Sequence, residues 1–376
     1  MSTDPSRERG YWIAFSRVPR IGAVRAGLLL AYFGTLEAAW RASAAELAAA
    51  GLDRATVTSI VSARREIEPE RELEALTKLG IEALTWEDEA YPRHLKEVDD
   101  KPPVLYVRGK LEPGDEWAVA VVGTRRASPY GRQVAEHFAG DLARQRITIV
   151  SGLARGIDAV AHRAALAAGG RTIAVEACGL DLVYPPEHAK LAQEIMHSGA
   201  LIGEHAPGTQ PRSEHFPRRN RILSGVSLGV LVAEGDEDSG ALITARRALD
   251  QSREVFAVPG SIYAPTSRGS NALIRDSQAK LVSKVEDILE ELNLTMATHQ
   301  IALHAALPAD PMEAALLGVL SNQPAHIDDV QRSSGLPIAA VAGALAMLEL
   351  KGMVRQVGPM SYVKAREVSL GYATTN

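Results

Sequence analysis

The chain has one cysteine in 376 residues, Cys178, which excludes an intramolecular disulfide framework and a cysteine-rich zinc site. Aromatic residues make up only 5%, so any ring that stacks on a ligand must be a specific one. No uncharged apolar run reaches the roughly 18 residues that a membrane-spanning helix needs. There is no Gly-x-Gly, so the dinucleotide fingerprint is absent. The Gly109-Lys110 pair is followed by Leu111 and has no glycine five residues upstream, so it is no P-loop. The ten histidines show no metal-site spacing. The start, Met1 to Arg9, is polar and lacks the apolar core of a signal peptide, so the cytoplasm is the expected compartment and no membrane partner is expected. What is present is ordinary for a globular protein: 46% hydrophobic, 23% charged and a formal net charge of -5. The length implies two or three domains.

Against that mild acidity, Phe216-Pro217-Arg218-Arg219-Asn220-Arg221 stands out. Arginine forks suit phosphate oxygens, and a phenylalanine offers a face for a base. Alone, the stretch reads sooner as a solvated basic turn on a helix than as a binding site.

Residues 1–10 are expected to be disordered. Residues 11–84 read as a small helical domain of helix-hairpin-helix or SAM-like type. In it Ile21-Gly22-Ala23 opens a helix that Gly34 closes. With no lysine beside that turn, a docking role is expected ahead of DNA contact. Residues 85–103 read as a linker. From 104 to 292, short apolar runs alternate with helical stretches. The strands are expected at 104–107, 118–122, 147–150, 172–175, 200–202, 228–232 and 254–258. Near-continuous apolar strands separated by helices predict an α/β fold with a doubly wound, mostly parallel sheet. Residues 293–311 read as a second linker, 312–366 as a winged-helix domain and 367–376 as a disordered tail. The third helix of the winged unit, Ile338 to Leu348, has almost no donors, so a protein-contact or structural role is expected rather than groove reading.

In a doubly wound sheet, ligands bind beyond the carboxyl ends of the strands. Those ends carry Gly123-Thr124-Arg125-Arg126, Ser151-Gly152 with Arg155, the arginine stretch, and Ser239-Gly240. Ser151-Gly152 and Ser239-Gly240 precede helices and are expected to present free amides. Six arginines, 125, 126, 155, 218, 219 and 221, are expected to line one mouth. Gly225-Val226-Ser227-Leu228-Gly229 matches the nucleophile-elbow pattern, but helix then strand is the wrong order. Asp158 and His162, four apart, are read as a helix-dipole residue and a packing residue. Glu234, Asp236, Glu237 and Asp238 are read as ion-paired or solvated rather than as a metal site. Leu273, Ile274 and Leu281 are candidates for a dimer surface, with ordinary packing as the competing reading.

These motifs together resemble the DNA-processing protein A (DprA, or Smf) family. The residues are Val121 to Arg125, Ser151 to Asp158, Gly179-Leu180-Asp181 with Tyr184-Pro185, Phe216 to Arg221, Ser239 to Ala245, and Phe256 to Gly260. The resemblance implies a Rossmann-like fold and a non-catalytic, cofactor-free protein of natural transformation and recombination. It implies binding of incoming single-stranded DNA, with duplex DNA bound more weakly, protection from nucleases, loading of the RecA recombinase, and a homodimer. By the family pattern the DNA pocket uses Arg125, Ser151, Gly152, Phe216, the stretch Arg218, Arg219, Asn220 and Arg221, and Ser239 and Gly240. Arg212 stands near where some members carry a lysine. The competing reading is a nucleotide- or nucleic-acid-processing hydrolase on the same fold.

Overall fold

The computed structural model describes residues 5–294, 311–321, 325–350, 354–358 and 360–364. The tail expected at 367–376 and most of the linker expected at 293–311 lie outside them. Contacts divide the chain into a unit ending at Leu292 and one beginning at Asn293.

The first unit opens with six helices: α1 Pro5–Ser16, α2 Ala23–Phe33, α3 Leu36–Arg41, α4 Ala44–Ala49, α5 Arg54–Ala63 and α6 Pro69–Leu79. Order begins earlier than Tyr11. Gly10 lies so close to α6 that an added Cβ would meet the Pro69 carbonyl at 2.8 Å. Each turn is fixed by local chemistry. Thr35 and Asp53 accept the Ala38 and Thr56 amides at 3.1 and 2.9 Å, and Ser43 and Glu46 form a reciprocal capping box. The scarce aromatics pack here: Trp12 meets Trp86 at 4.9 Å and Phe15 meets Trp40 at 5.0 Å, both edge to face.

Residues 85–103 are folded rather than a free linker. Strand β1 (Glu82–Thr85) pairs antiparallel with β2 (Val104–Gly109), and α7 (Arg93–Lys96) lies between them in sequence. Tyr91, Leu95 and Val98 carry apolar surface, which they bury in the same cluster as Leu223 and Val226. The Tyr91 hydroxyl donates to the Pro102 carbonyl at 2.9 Å.

The α/β body continues with β3 Ala118–Gly123, α8 Pro129–Arg144, β4 Thr148–Ser151, α9 Ile157–Ala167, β5 Thr172–Val175, α10 Ala189–Ser198 and β6 Ala200–Gly203. It ends with α11 His215–Gly225, β7 Gly229–Glu234, α12 Gly240–Asp250, β8 Glu254–Ala257, α13 Arg268–Arg275, β9 Lys280–Leu281 and α14 Val285–Glu291. The sheet order is β1-β2-β6-β5-β4-β3-β7-β8-β9. It is parallel from β6 to β9, with β1 and β2 as an antiparallel edge. All seven expected strands are present. The chain winds outward from β3 to β6 and then restarts at β7 on the other side of β3. The switch point therefore lies between the carboxyl ends of β3 and β7, where a doubly wound sheet opens a crevice.

One part of the expected dimer surface is corrected. Leu273 is 3% exposed and Ile274 packs partly against the core, because the apolar side of α13 faces the sheet. Leu281 alone of the three is well exposed, at 48%, on the edge strand β9.

In the second unit, helices Pro311–Val319, Ile327–Ser334 and Ile338–Leu350 precede a hairpin of Val354–Gly358 and Ser361–Lys364. Ala325–His326 adds a third strand, completing a winged helix around Leu316, Val341, Leu345 and Leu348. Among the described residues no helix is long and apolar enough to cross a membrane.

Candidate nucleic-acid interface

At the β3/β7 switch point the surface opens into a mouth of about 730 Å³. Its lining includes Arg125, Arg126, Arg212, Phe216, Arg219 and Asn220. Tyr184, Ser239 and Gly240 join them there.

The turn that carries Arg125 and Arg126 is pinned from three sides. The Thr124 amide donates to the Glu234 carbonyl at 2.8 Å, and the Thr124 carbonyl accepts the Ile157 amide at 3.2 Å. Ser128 caps α8, accepting the Gly131 amide at 3.0 Å, and its own amide and hydroxyl donate to the Glu234 carboxylate at 2.9 and 2.6 Å. Gly156, at φ +78°, lets α9 begin against this turn, since a side chain there would overlap the Thr124 and Arg125 carbonyls. Glu234 is therefore a buried anchor, whereas Asp236 and Asp238 stay on the lining. Ser128→Ala is expected to lower stability by about 1–2 kcal/mol through the lost cap and the under-bonded Glu234, as read by thermal denaturation.

Arg125 and Arg126 are themselves exposed. The Arg125 guanidinium sits over the Phe216 ring at 5.3 Å, and Phe216 lies 5.6 Å from Tyr184. Tyr184 is 40% exposed and offers the more open ring. Tyr184 is not among the pocket residues expected from the sequence. Its only sequence signal was the Tyr-Pro pair after a strand end.

The arginine stretch lies on a full helix, α11, rather than on a short basic turn. Its full length is not legible in the sequence because a Phe-Pro-Arg-Arg-Asn-Arg run has no apolar period before Ile222. The helix sends its arginines in different directions. Arg219 is 4% exposed and faces inward, its Nη1 donating to the Val175 carbonyl. Arg221 is held by Glu204 at 2.7 Å and Asp100 at 3.5 Å, outside the mouth. Arg218 is exposed and lines a separate groove on the other side of Pro217. Arg155, also outside the mouth, pairs with Glu187 at 2.5 Å. The single mouth of six arginines is thus corrected to Arg125, Arg126 and Arg219, joined by Arg212. Partner carboxylates far away in sequence account for Arg155 and Arg221.

Ser151 and Gly152 are also corrected. The Ser151 hydroxyl donates to the Val121 carbonyl at 2.7 Å and is fully buried. The Gly152 amide donates to Asp158 at 3.1 Å, so it is not free for a phosphate. A side chain at Gly152 would overlap the Arg219 guanidinium, so glycine here makes room for that arginine. Ser239 caps α12, accepting the Ala241 amide at 3.3 Å, and Gly240 stays open, with nothing within 4 Å of an added Cβ. Asn220 reaches across to the Gly240 carbonyl at 3.4 Å.

Beneath the mouth lies a buried charge cluster. Burial raises the Asp158 pKa, opposed by Arg219 and by the Ala154 and Gly152 amides. Burial pushes Glu176 up to about 8, again opposed by Arg219. Burial lowers the Arg219 pKa, while Asp158 and Glu176 raise it. His162 is bonded to Thr172 at 2.7 Å and is driven down to about 3, mainly by burial, so it stays neutral. Asp158 and His162 each spend their bonds elsewhere and form no acid–base pair. Ser227 is fully buried, its hydroxyl donating to the Leu223 carbonyl at 2.9 Å. Among the described residues no group of three or more His, Cys, Asp or Glu could hold a metal ion.

A family model described as DNA recombination-mediator protein A matches residues 82–293, and one described as DprA winged helix domain matches 300–358. Protein Smf of Synechocystis is 33% identical, covering 94% of this chain and 98% of that protein. DNA processing protein DprA of Bacillus subtilis is 45% identical over 59% of this chain and 75% of that one. The crystal structure of DNA processing protein A from Streptococcus pneumoniae superposes with a TM-score of 0.67 at 34% identity, over 77% of this chain and 99% of that one. A structure of the Helicobacter pylori protein, solved for its single-stranded DNA binding mode, superposes at 0.51 with 31% identity, over 56% of this chain and 95% of that one.

Proposed function

The chain belongs to the DNA recombination-mediator protein A family, and from that premise we propose that it binds single-stranded DNA in the β3/β7 mouth without cutting it. Its role is that of a DNA-processing recombination mediator. The finer reading is that it shields incoming strands from nucleases during natural transformation and hands them to RecA in the cytoplasm. It works as a homodimer through the α/β unit, without a cofactor. Two mouths on one long strand gain affinity by effective concentration.

One observation carries the reading: an exposed arginine lies over a phenylalanine, and a half-open tyrosine stands beside it at the rim of an arginine-lined crevice. Phosphate donors next to aromatic faces grip a strand whose bases are unstacked, whatever their sequence. Duplex DNA keeps its bases stacked and loses the aromatic contribution, so it binds more weakly.

The test is fluorescence anisotropy with oligothymidylate of about 30 nucleotides across a salt series. Three to four phosphate contacts give a log–log slope of about −2 to −3. The bound strand should resist exonuclease and come out intact, and RecA should assemble faster on strands coated with single-strand-binding protein. Salt-insensitive binding, or release of nucleotides by the purified protein, would rule the reading out.

A further inference from the structure

A second groove, of about 1030 Å³, lies between the α2 turn and α11. It meets the mouth at Arg212 and Pro217, which line both. Arg20, Arg25, Arg218 and Arg221 also face it. Two of these are neutralised: Arg25 by Asp53 at 2.8 Å, and Arg221 by Glu204 and Asp100. Arg20 and Arg218 are exposed, and neither has a carboxylate partner among the described residues. One stands on each wall.

Arg20 is also held in an unusual way. Its backbone has φ +74°, the left-handed region that L side chains rarely adopt. Its carbonyl accepts the Arg25 guanidinium at 2.8 Å, and Arg25 is anchored in turn by Asp53. A local backbone cost of this kind persists where the surroundings impose it, and here it presents an unpaired cation to the groove. Next to it, α2 opens at Gly22 with no side-chain cap and open space around it. Val24 on the first turn of α2 is 76% exposed at the same groove. On the opposite wall His205 stacks on His215 at 4.2 Å.

We propose that this groove is a second track for the phosphate backbone of the same single strand, entered over the Arg212–Pro217 edge, with Arg20 and Arg218 as its two grips. It rests on the reading of the mouth as a single-strand site. The docking role expected for the Ile21-Gly22-Ala23 turn is thereby replaced by a nucleic-acid role. The arginine-rich helix becomes the ridge between two tracks, with Arg219 on one side and Arg218 on the other.

The test compares oligothymidylates of about 6 and about 30 nucleotides, the shorter near the low end of single-strand site sizes. It uses the full chain carrying Arg20→Asn with Arg218→Ala. Asparagine tolerates the left-handed backbone, and alanine suits the exposed helix position. The long strand is expected to bind about tenfold or more weakly, with a salt slope shallower by about 1.4, while the short strand is unaffected. Arg218→Glu alone, a charge reversal on an exposed helix face, should give the same length-dependent loss. Unchanged long-strand binding, equal loss at both lengths, or a larger loss on duplex than on single strand would overturn the proposal. Arg125→Ala serves as the separate control. If it leaves the short strand bound as in the wild type, the mouth assignment fails rather than the groove.

Discussion

Phe216→Ala combined with Arg125→Ala is expected to weaken single-strand binding by about two to three orders of magnitude, with little change in melting temperature. A stacked base contributes about 1–3 kcal/mol and a charge-assisted phosphate contact about 1.5–3 kcal/mol; their plain sum would be about two to four orders of magnitude, and the coupling between the two groups keeps the loss in the lower part of that range. Arg125 is exposed and Phe216 half-buried, so neither change opens the core. The two effects should not add. The guanidinium lies over the ring at 5.3 Å, so either substitution alone frees its partner to move. A double-mutant cycle should therefore give a coupling energy of about 0.5 kcal/mol or more. Because Arg125 covers one face of Phe216, Tyr184 is the ring better placed to receive a base first. Tyr184→Ala should cost at least as much as Phe216→Ala. The salt slope separates the contributions. Arg125→Ala should flatten it by about 0.7, while Tyr184→Ala should lower affinity at unchanged slope. Wild-type affinity in the double variant would remove the mouth from the binding site altogether.

The strands were legible because buried parallel strands read as continuous apolar runs, and Val119 to Val122 are almost wholly buried as that pattern demands. The strand-end rule then located Gly123 to Arg126 and Ser239-Gly240. It failed at Ser151-Gly152 for a specific reason. Asp158, six residues on, takes the Gly152 amide, and a sequence does not show which local acceptor wins. The arginines failed in another way. Four consecutive polar residues on a helix point in different directions, and their fates depend on carboxylates that the fold brings near. Glu204 holds Arg221, Glu187 holds Arg155, and Glu176 with Asp158 surrounds Arg219. A charge run reports how much charge is present, and the fold decides how much of it remains free. The order at 85–103 was hidden by its prolines and acids, though Tyr91, Leu95 and Val98 among them supply the apolar anchors.

Arg219 sits deeper than a surface binding residue, and its replacement should act on the fold first. Arg219→Ala is expected to lower stability by about 3–5 kcal/mol, because it leaves two buried carboxyl groups, Asp158 and Glu176, without their cation. Any accompanying loss of DNA binding would follow from a loosened α11. Glu176 then supplies a signature that a purely steric effect would not. Its carboxyl is pushed up to about 8 by burial, from an ordinary value of 4.5. Between those values the folded chain holds a proton that the unfolded chain has lost. Stability from this group is therefore full below about pH 4.5, falls as pH rises towards 8, and levels off above it. The shift is worth on the order of 5 kcal/mol across the whole window. His162, driven down to about 3, works in the opposite direction, but only below its ordinary value of 6.5. The window from pH 6.5 to 8 therefore leaves His162 out, while Asp158, also raised by burial, stays in the wild type and the variant alike. There the wild type should lose melting temperature steadily, while Glu176→Gln should lose it less steeply and be the more stable protein at pH 8. In the Arg219→Ala background Glu176 has lost the cation that opposes burial and keeps its proton to higher pH still, so Glu176→Gln should change stability little below pH 8. Parallel wild-type and Glu176→Gln profiles across that window would mean that Glu176 titrates at its ordinary value and stands ionised against Arg219.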